Sequence, residues 1–419
     1  MSVLDDIQKS FIKKESIYGP DNYKPLPVVL SKAKGVWVWD VSEKKYLDMM
    51  SGYSAVSHGH AHPVLLKTFH DQSSRLSLTS RAFYTDTLGP YLETITQMTG
   101  FEMALPMNSG AEAVETAIKS SRRWAYRTKK VEENKAEIIV AEGNFHGRTT
   151  TIISFSTDEN SRKDFGPHTP GFVAVEYGSS KAIEDAITPN TAAVIIEPIQ
   201  GEGGIIVPPD NYLNEVRAIC TKHNVLMILD EIQSGLGRTG KLFAYQHSCG
   251  QCSCGENSCD VQPDGLILGK ALGGGFMPVS VFLSSEEVLG WMDPGSHGST
   301  FGGNPLASAL AKRSLELLYE ENLIENSRVM GNYFKEQLTA LNSELIVEIR
   351  GMGLWLGVEI DQKYISGNEL SKTLLEAGIL CKETHENTIR FAPPLVVTKE
   401  ELDWGIEKIA KVFSEVTKS

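Results

Sequence analysis

Two short stretches hold residue types from which covalent chemistry on an amine could be built. "NVLMILDE" (224–231) and "DGLILGK" (264–270) each end an apolar run on a charged residue, Asp230 in one and Lys270 in the other. Both runs are rich in Ile, Leu and Val and have the length of buried strands. "AAVIIEP" (192–198) repeats the pattern with Glu197, and "EIIVAE" (137–142) is a fourth strand of the same kind. Between two of them, Leu213, Val216, Ile219 and Cys220 of "NYLNEVRAICTKH" fall at helical spacing. Strand, helix and strand in succession predict a largely parallel sheet covered by helices. Ligands gather at the carboxyl ends of such strands. One charged residue there is only a solvated strand end; three predict a shared site.

The chemistry follows from the residue types. A lysine amine condenses with an aldehyde, and a carboxylate holds a ring nitrogen in its protonated form. "MNSGAEAVETAIK" (107–119) adds an anion cradle, because Ser109, Gly110 and Ala111 open a helix whose first N–H groups have no helical acceptor. Taken singly, Lys270 is a surface lysine in a turn and Ser109 a simple N-cap. Taken together, Lys270, Asp230 and the cradle suit the aldehyde, ring nitrogen and phosphate of pyridoxal phosphate.

A different phosphate chemistry is suggested by "GLGRTGK" (235–241), which satisfies two nucleotide-binding patterns. Gly235, Gly237 and Gly240 match a dinucleotide fingerprint, but "KLFAYQHSCG" after them has no amphipathic period. Read as a P-loop, the stretch has Leu242 where a magnesium-binding Ser or Thr is required. The stretch is therefore predicted to be a glycine-rich turn.

The elements that must position these residues fit a chain of 419 residues, enough for two lobes. Three segments are predicted: 1–55, 56–305 as the large cofactor-binding domain, and 306–419, with the two ends together forming a smaller lobe. "VWVWDVSEKKYLDMM" reads as an N-terminal meander. Near the other end come a helix at 306–320, strands at "IVEIRG" and "LWLGVEI", and a helix from Lys399. With 40 Lys and Arg against 53 Asp and Glu, the net charge is −13, which argues against nucleic acid and anionic membranes as partners. No apolar run reaches membrane-spanning length, and "MSVLDDIQKS" has no targeting character, so a soluble cytoplasmic protein is expected.

The stretch "LDEIQSGLGRTGKLFAYQ" followed by "PDGLILGKALGGGFMPVS" resembles the signature of class III pyridoxal-phosphate aminotransferases. The resemblance covers nearly the whole chain through "MNSGAEAVETA", "NFHGRT", "EPIQGEGG", "HGSTFGGNPLA", "RGMGLWLGVEI" and "IRFAPPL", in the family's order. It implies an α/β chain of fold type I: a large domain with a mainly parallel sheet, and a smaller α+β domain from both chain ends. It also implies a homodimer with shared active sites. By resemblance, Lys270 bonds the cofactor's aldehyde carbon and Asp230 meets the ring nitrogen. Ser109, Gly110 and Ala111 hold the phosphate, joined by Thr300 from the other subunit. Phe145 stacks on one ring face, Ile232 covers the other, and Gln233 reaches the ring hydroxyl.

Three stretches, "NYKPLPVVL", "SGYSAVSHGHAHP" and "LTSRAFY", resemble most the branch that acts on the δ-amino group of ornithine. That branch passes the amino group to 2-oxoglutarate and releases glutamate. The branches for N-acetylornithine and 4-aminobutyrate match less well there. In the resembled branch, Tyr23 and Tyr53 meet the α-amino and α-carboxylate groups, and Arg148 binds carboxylate. Glu202 masks Arg390 in one half-reaction and releases it for 2-oxoglutarate; a static salt bridge is the plainer reading. His146 departs from the pattern, because "FHGRT" resembles the acetylornithine branch.

"HSCGQCSCGENSC" (247–259) is mostly an insertion relative to the family. Cys249, Cys252, Cys254 and Cys259, with His247, could ligate zinc, remain free or redox-active thiols, or form a disulfide. A non-catalytic zinc-knuckle protein on this scaffold is the rival reading; against it, every expected catalytic residue is present.

Overall fold

The computed structural model describes residues 6–248 and 261–418. Cys249, Cys252, Cys254 and Cys259 lie outside the described residues. An N-terminal helix, Asp6–Tyr18, precedes the meander of β1 (Leu30–Lys34), β2 (Trp37–Asp40) and β3 (Lys45–Asp48).

A seven-stranded sheet follows, built from β4 (Met103–Met107), β5 (Glu137–Ala141), β6 (Phe172–Val175), β7 (Thr191–Ile196), β8 (Leu226–Asp230), β9 (Gly265–Leu268) and β10 (Ser280–Ser284). Its order is β4-β10-β9-β8-β7-β5-β6. β10 alone runs antiparallel to its neighbours; the other paired strands are parallel. Every residue of β7, β8, β9 and β10 is buried, as expected when helices cover both faces of a sheet. The helix at Tyr212–His223 carries β7 back to β8; of the four residues whose spacing predicts it, Leu213, Val216 and Cys220 are buried and Ile219 is half-buried.

The remaining strands are β11 (Ile346–Met352), β12 (Trp355–Ile360), β13 (Ile379–Leu380), β14 (Lys382–Thr384) and β15 (Thr388–Phe391). Four of them form an antiparallel sheet in the order β11-β12-β15-β14, while β13 pairs parallel with β3 and ties the C-terminal part to the N-terminal meander.

"GLGRTGK" is a turn that serves packing. A Cβ on Gly240 would sit 2.9 Å from the Arg328 backbone, and one on Gly353 only 2.4 Å from the Thr239 carbonyl carbon. Both glycines let this turn, the β11–β12 turn and the helix Leu323–Ala340 touch backbone to backbone. Between them Arg238 is fully buried. It donates to the Leu354 and Pro393 carbonyls at 2.9 and 2.6 Å and to Ser51 and Ser57 Oγ at 3.2 and 2.9 Å.

Candidate active site

Five parallel strands deliver side chains to one end of the central sheet. β4 leads into Ser109–Ala111, β5 into Phe145–His146, β7 into Glu197, β8 ends on Asp230, and β9 is followed by Lys270. These loops enclose a cleft of about 620 Å³ lined by Gly110, Ala111, Phe145, His146, Glu197, Asp230, Ile232, Gln233 and Lys270, among others. The three charged strand ends therefore meet in one place.

The cradle is a capping box. Ser109 Oγ accepts from the Glu112 N–H at 3.2 Å, and Glu112 Oε2 accepts from the Ser109 N–H at 2.7 Å. Both groups are thereby occupied, and the N–H groups of Gly110 and Ala111 are left for an anion at the positive end of a 15-residue helix. A Cβ on Gly110 would lie 2.9 Å from Ile232 Cδ1, so glycine here lets Ile232 close over the helix entry.

Deeper in, Asp230 is buried and its Oδ2 is 2.7 Å from His146 Nδ1. Burial alone would lower the His146 pKa. The hydrogen bond and charge of Asp230, with the charge of Glu197, outweigh it and hold the imidazole above its ordinary value. Its Nε2 is buried without a partner among the described residues. Glu197 Oε1 accepts from the Phe145 N–H at 3.0 Å and Oε2 from the Gly201 N–H at 3.1 Å. Burial still pushes its pKa up to about 7. Neither His146 nor Glu197 has a role in the reading of the sequence beyond a branch marker and a strand-end charge; their contacts join loops far apart in the chain.

Lys270 adopts φ +45°, a left-handed conformation that costs a non-glycine residue about 1 kcal/mol or more. Its Nζ is 3.0 Å from Gln233 Oε1. Burial lowers its pKa, which favours the neutral, nucleophilic amine.

Close enough to act electrostatically on Lys270, Arg390 on β15 is buried and its Nη1 is 2.6 Å from Glu202 Oε1. The guanidinium lies 4.8 Å from the centroid of the Tyr53 ring. Tyr53 reaches it from Ser51–Ser54, a run in which all four residues have positive φ, three of them non-glycine. Asp48 Oδ1 anchors the run by accepting from the Met50 and Ser51 N–H groups, both at 2.8 Å, while Ser51 Oγ donates to the Ala392 carbonyl at 2.6 Å. Strain held in place this way marks functional segments, and hydrophobic periodicity gives no sign of it.

The other predicted residues sit further out. Tyr23 is 73% exposed but close enough to act electrostatically on Tyr53. Arg148 is exposed, with its guanidinium 5.5 Å from the Phe145 ring centroid. Thr300 is exposed and does not line this cleft.

The family model for class-III aminotransferases matches residues 18–413. The chain belongs to that family. It is 53% identical over 402 residues to the ornithine aminotransferase of Brevibacillus brevis, covering 96% of this chain and 97% of that one. Among solved structures, ornithine aminotransferase from Toxoplasma gondii superposes with a TM-score of 0.94 at 41% identity, over 98% of this chain and 95% of the other. That structure carries pyridoxal phosphate at partial occupancy in its active site. Acetylornithine aminotransferase from Elizabethkingia anophelis also matches, with a TM-score of 0.86 and 44% identity over 97% and 99% of the two chains.

Class-III aminotransferases use pyridoxal phosphate, and the residues present here fit it. The cleft holds two unclaimed N–H groups at a helix N-terminus for a phosphate. It also holds a buried carboxylate for a ring nitrogen and a lysine amine shifted toward neutrality for an aldehyde.

Proposed function

We propose that this class-III aminotransferase moves the δ-amino group of L-ornithine to 2-oxoglutarate, giving glutamate 5-semialdehyde, which cyclises to pyrroline-5-carboxylate, and glutamate. The observation that carries the reading is the Arg390–Glu202 pair, beside Tyr53 and near enough to act on the Lys270 amine. An enzyme that takes an amine-first substrate and then a dicarboxylate needs a carboxylate clamp it can switch off. Arg390 offers a planar fork for a carboxylate, and Glu202 occupies it with a partly exposed side chain that is able to swing away. The Brevibacillus brevis relative at 53% identity and the Toxoplasma gondii structure at a TM-score of 0.94 support ornithine over N-acetylornithine.

Pyridoxal phosphate, when bound, supplies an aldehyde carbon that takes up the amino group and a ring that draws electrons from the reacting carbon. Gly110 and Ala111, with Ser109, would hold its phosphate, Phe145 and Ile232 would flank the ring, and Gln233 would meet the ring hydroxyl. Asp230 keeps a proton on the ring nitrogen, and His146 fixes the direction of that carboxylate. Lys270, whose burial shifts its amine toward the neutral form, would move a proton from the substrate δ-carbon. Tyr53 and Tyr23 orient the α-amino and α-carboxylate ends of ornithine, and Arg148 adds a second carboxylate contact.

We also infer a cytoplasmic homodimer. Leu76, Leu78, Phe83, Tyr84 and Phe301 are exposed apolar side chains. Gly303 lies against Arg81, which brings the two segments together. Such a patch beside Thr300 fits a subunit interface that delivers Thr300 to the partner's phosphate. No described helix is long and apolar enough to cross a membrane.

Ornithine labelled with 15N on the δ-nitrogen tests the reading. With unlabelled 2-oxoglutarate the label should appear in glutamate. Label appearing in glutamate only from α-15N-ornithine would overturn it.

A further inference from the structure

The loop that bears Thr300 is tied to the phosphate-cradle helix, Gly110–Trp124, of its own chain. His297 Nε2 is 2.8 Å from Thr116 Oγ1, and His297 Nδ1 is 2.8 Å from Lys119 Nζ. An ammonium only donates, so Nδ1 must accept and the ring proton must sit on Nε2. Nε2–H then donates to Thr116 Oγ1, whose own hydrogen goes to the Glu112 carbonyl at 2.7 Å. Every proton has a place in this arrangement, but only with a neutral imidazole.

Other contacts secure the same loop. Lys119 Nζ also reaches the Ser296 carbonyl at 3.3 Å, and Arg123 pairs with Asp293 at 2.8 Å. Asn108 Nδ2 donates to Ser299 Oγ at 2.7 Å and to Glu112 Oε1 at 3.1 Å. A Cβ on Gly302 would be 2.8 Å from the Pro106 carbonyl, so the loop lies flat on β4. Thr300 itself is exposed, between these tethers.

We propose that His297 is a positioning residue that pins the Thr300 loop to the cradle helix, so that one helix serves the phosphate sites of both subunits. The inference rests on the reading that Thr300 reaches the partner's cofactor. His297 is faced by Lys119 and Glu112 on the helix, with the Arg123–Asp293 pair at the base of the loop. Protonating it would set an imidazolium N–H against the Lys119 ammonium and release the loop.

The test is the equilibrium affinity of the full-length dimer for pyridoxal phosphate, titrated by fluorescence, with the dimer checked by light scattering. Loss of one hydrogen bond to a phosphate corresponds to roughly tenfold in Kd. Thr300→Ala should therefore weaken binding about tenfold. His297→Ala should weaken it similarly, and the double variant should be no worse than either single one. His297→Gln, which keeps a donor and an acceptor, should restore binding. The wild type should bind more weakly as His297 takes up a proton at low pH, and His297→Gln should lack that weakening. An unchanged Kd for Thr300→Ala would sink the reading of Thr300 and this inference with it. A weakened Thr300→Ala beside an unaffected His297→Ala, or fully additive losses, would overturn the inference alone.

Discussion

Replacing Glu202 with Gln removes the charge that occupies Arg390 while leaving the side chain its size. The pair is close, 2.6 Å, with Arg390 nearly buried and the Glu202 side chain 31% exposed. A hydrogen bond between charged groups contributes about 1.5–3 kcal/mol, roughly tenfold to a hundredfold in an equilibrium constant. The exposure of Glu202 screens the pair and points to the lower end, about tenfold. In the variant, 2-oxoglutarate and glutamate no longer compete with Glu202, so the half-reaction between them should gain about tenfold in apparent affinity. Ornithine brings no carboxylate to Arg390 and so leaves a nearly buried cation without a charged partner from position 202, beside the Tyr53 ring. Its half-reaction should slow by at least the same factor. Rapid-mixing single turnovers of each half-reaction, followed by the change in cofactor absorbance, separate the two. Equal changes in both half-reactions would refute the argument, because a static salt bridge disturbs both alike.

Further predictions concern the frame of the site. Arg238→Leu strands the Leu354 and Pro393 carbonyls and both serine partners, and should cost about 3 kcal/mol or more in urea unfolding. Gly331→Ala would place a Cβ 2.1 Å from the Gly353 backbone, so the variant should show a large fall in Tm or fail to fold. Glu197, with a folded pKa of about 7, binds a proton that the unfolded chain has already lost above about pH 4.5. It therefore favours the folded state at low pH, and that contribution, about 3 kcal/mol in all, is lost as pH rises from about 4.5 to 7. Thermal unfolding of the cofactor-free protein should flatten across this window in Glu197→Gln, and an unchanged slope would contradict the assignment.

Much of this site can be read from the sequence because it lies at strand ends. Asp230, Lys270 and Glu197 each close an apolar run, and the parallel order of the strands makes their convergence a topological consequence. The helix at Gly110–Trp124 is equally legible, since Ser109 and Glu112 form a local capping pair. His146 is different. Its contact with Asp230 spans 84 positions and follows no period, so only the folded chain reveals it. The left-handed turn at Ser51–Ser54 has a local anchor in Asp48 but also depends on the Ala392 carbonyl, 341 positions away. The glycines of "GLGRTGK" illustrate the opposite hazard, a nucleotide-like spacing set by backbone packing against the Leu323–Ala340 helix.

The most direct measurement is kcat/KM, with saturating 2-oxoglutarate, for ornithine, N-acetylornithine and 4-aminobutyrate on one preparation. Ornithine should have the highest value. Ornithine as the poorest of the three, or exceeded by N-acetylornithine, would contradict it.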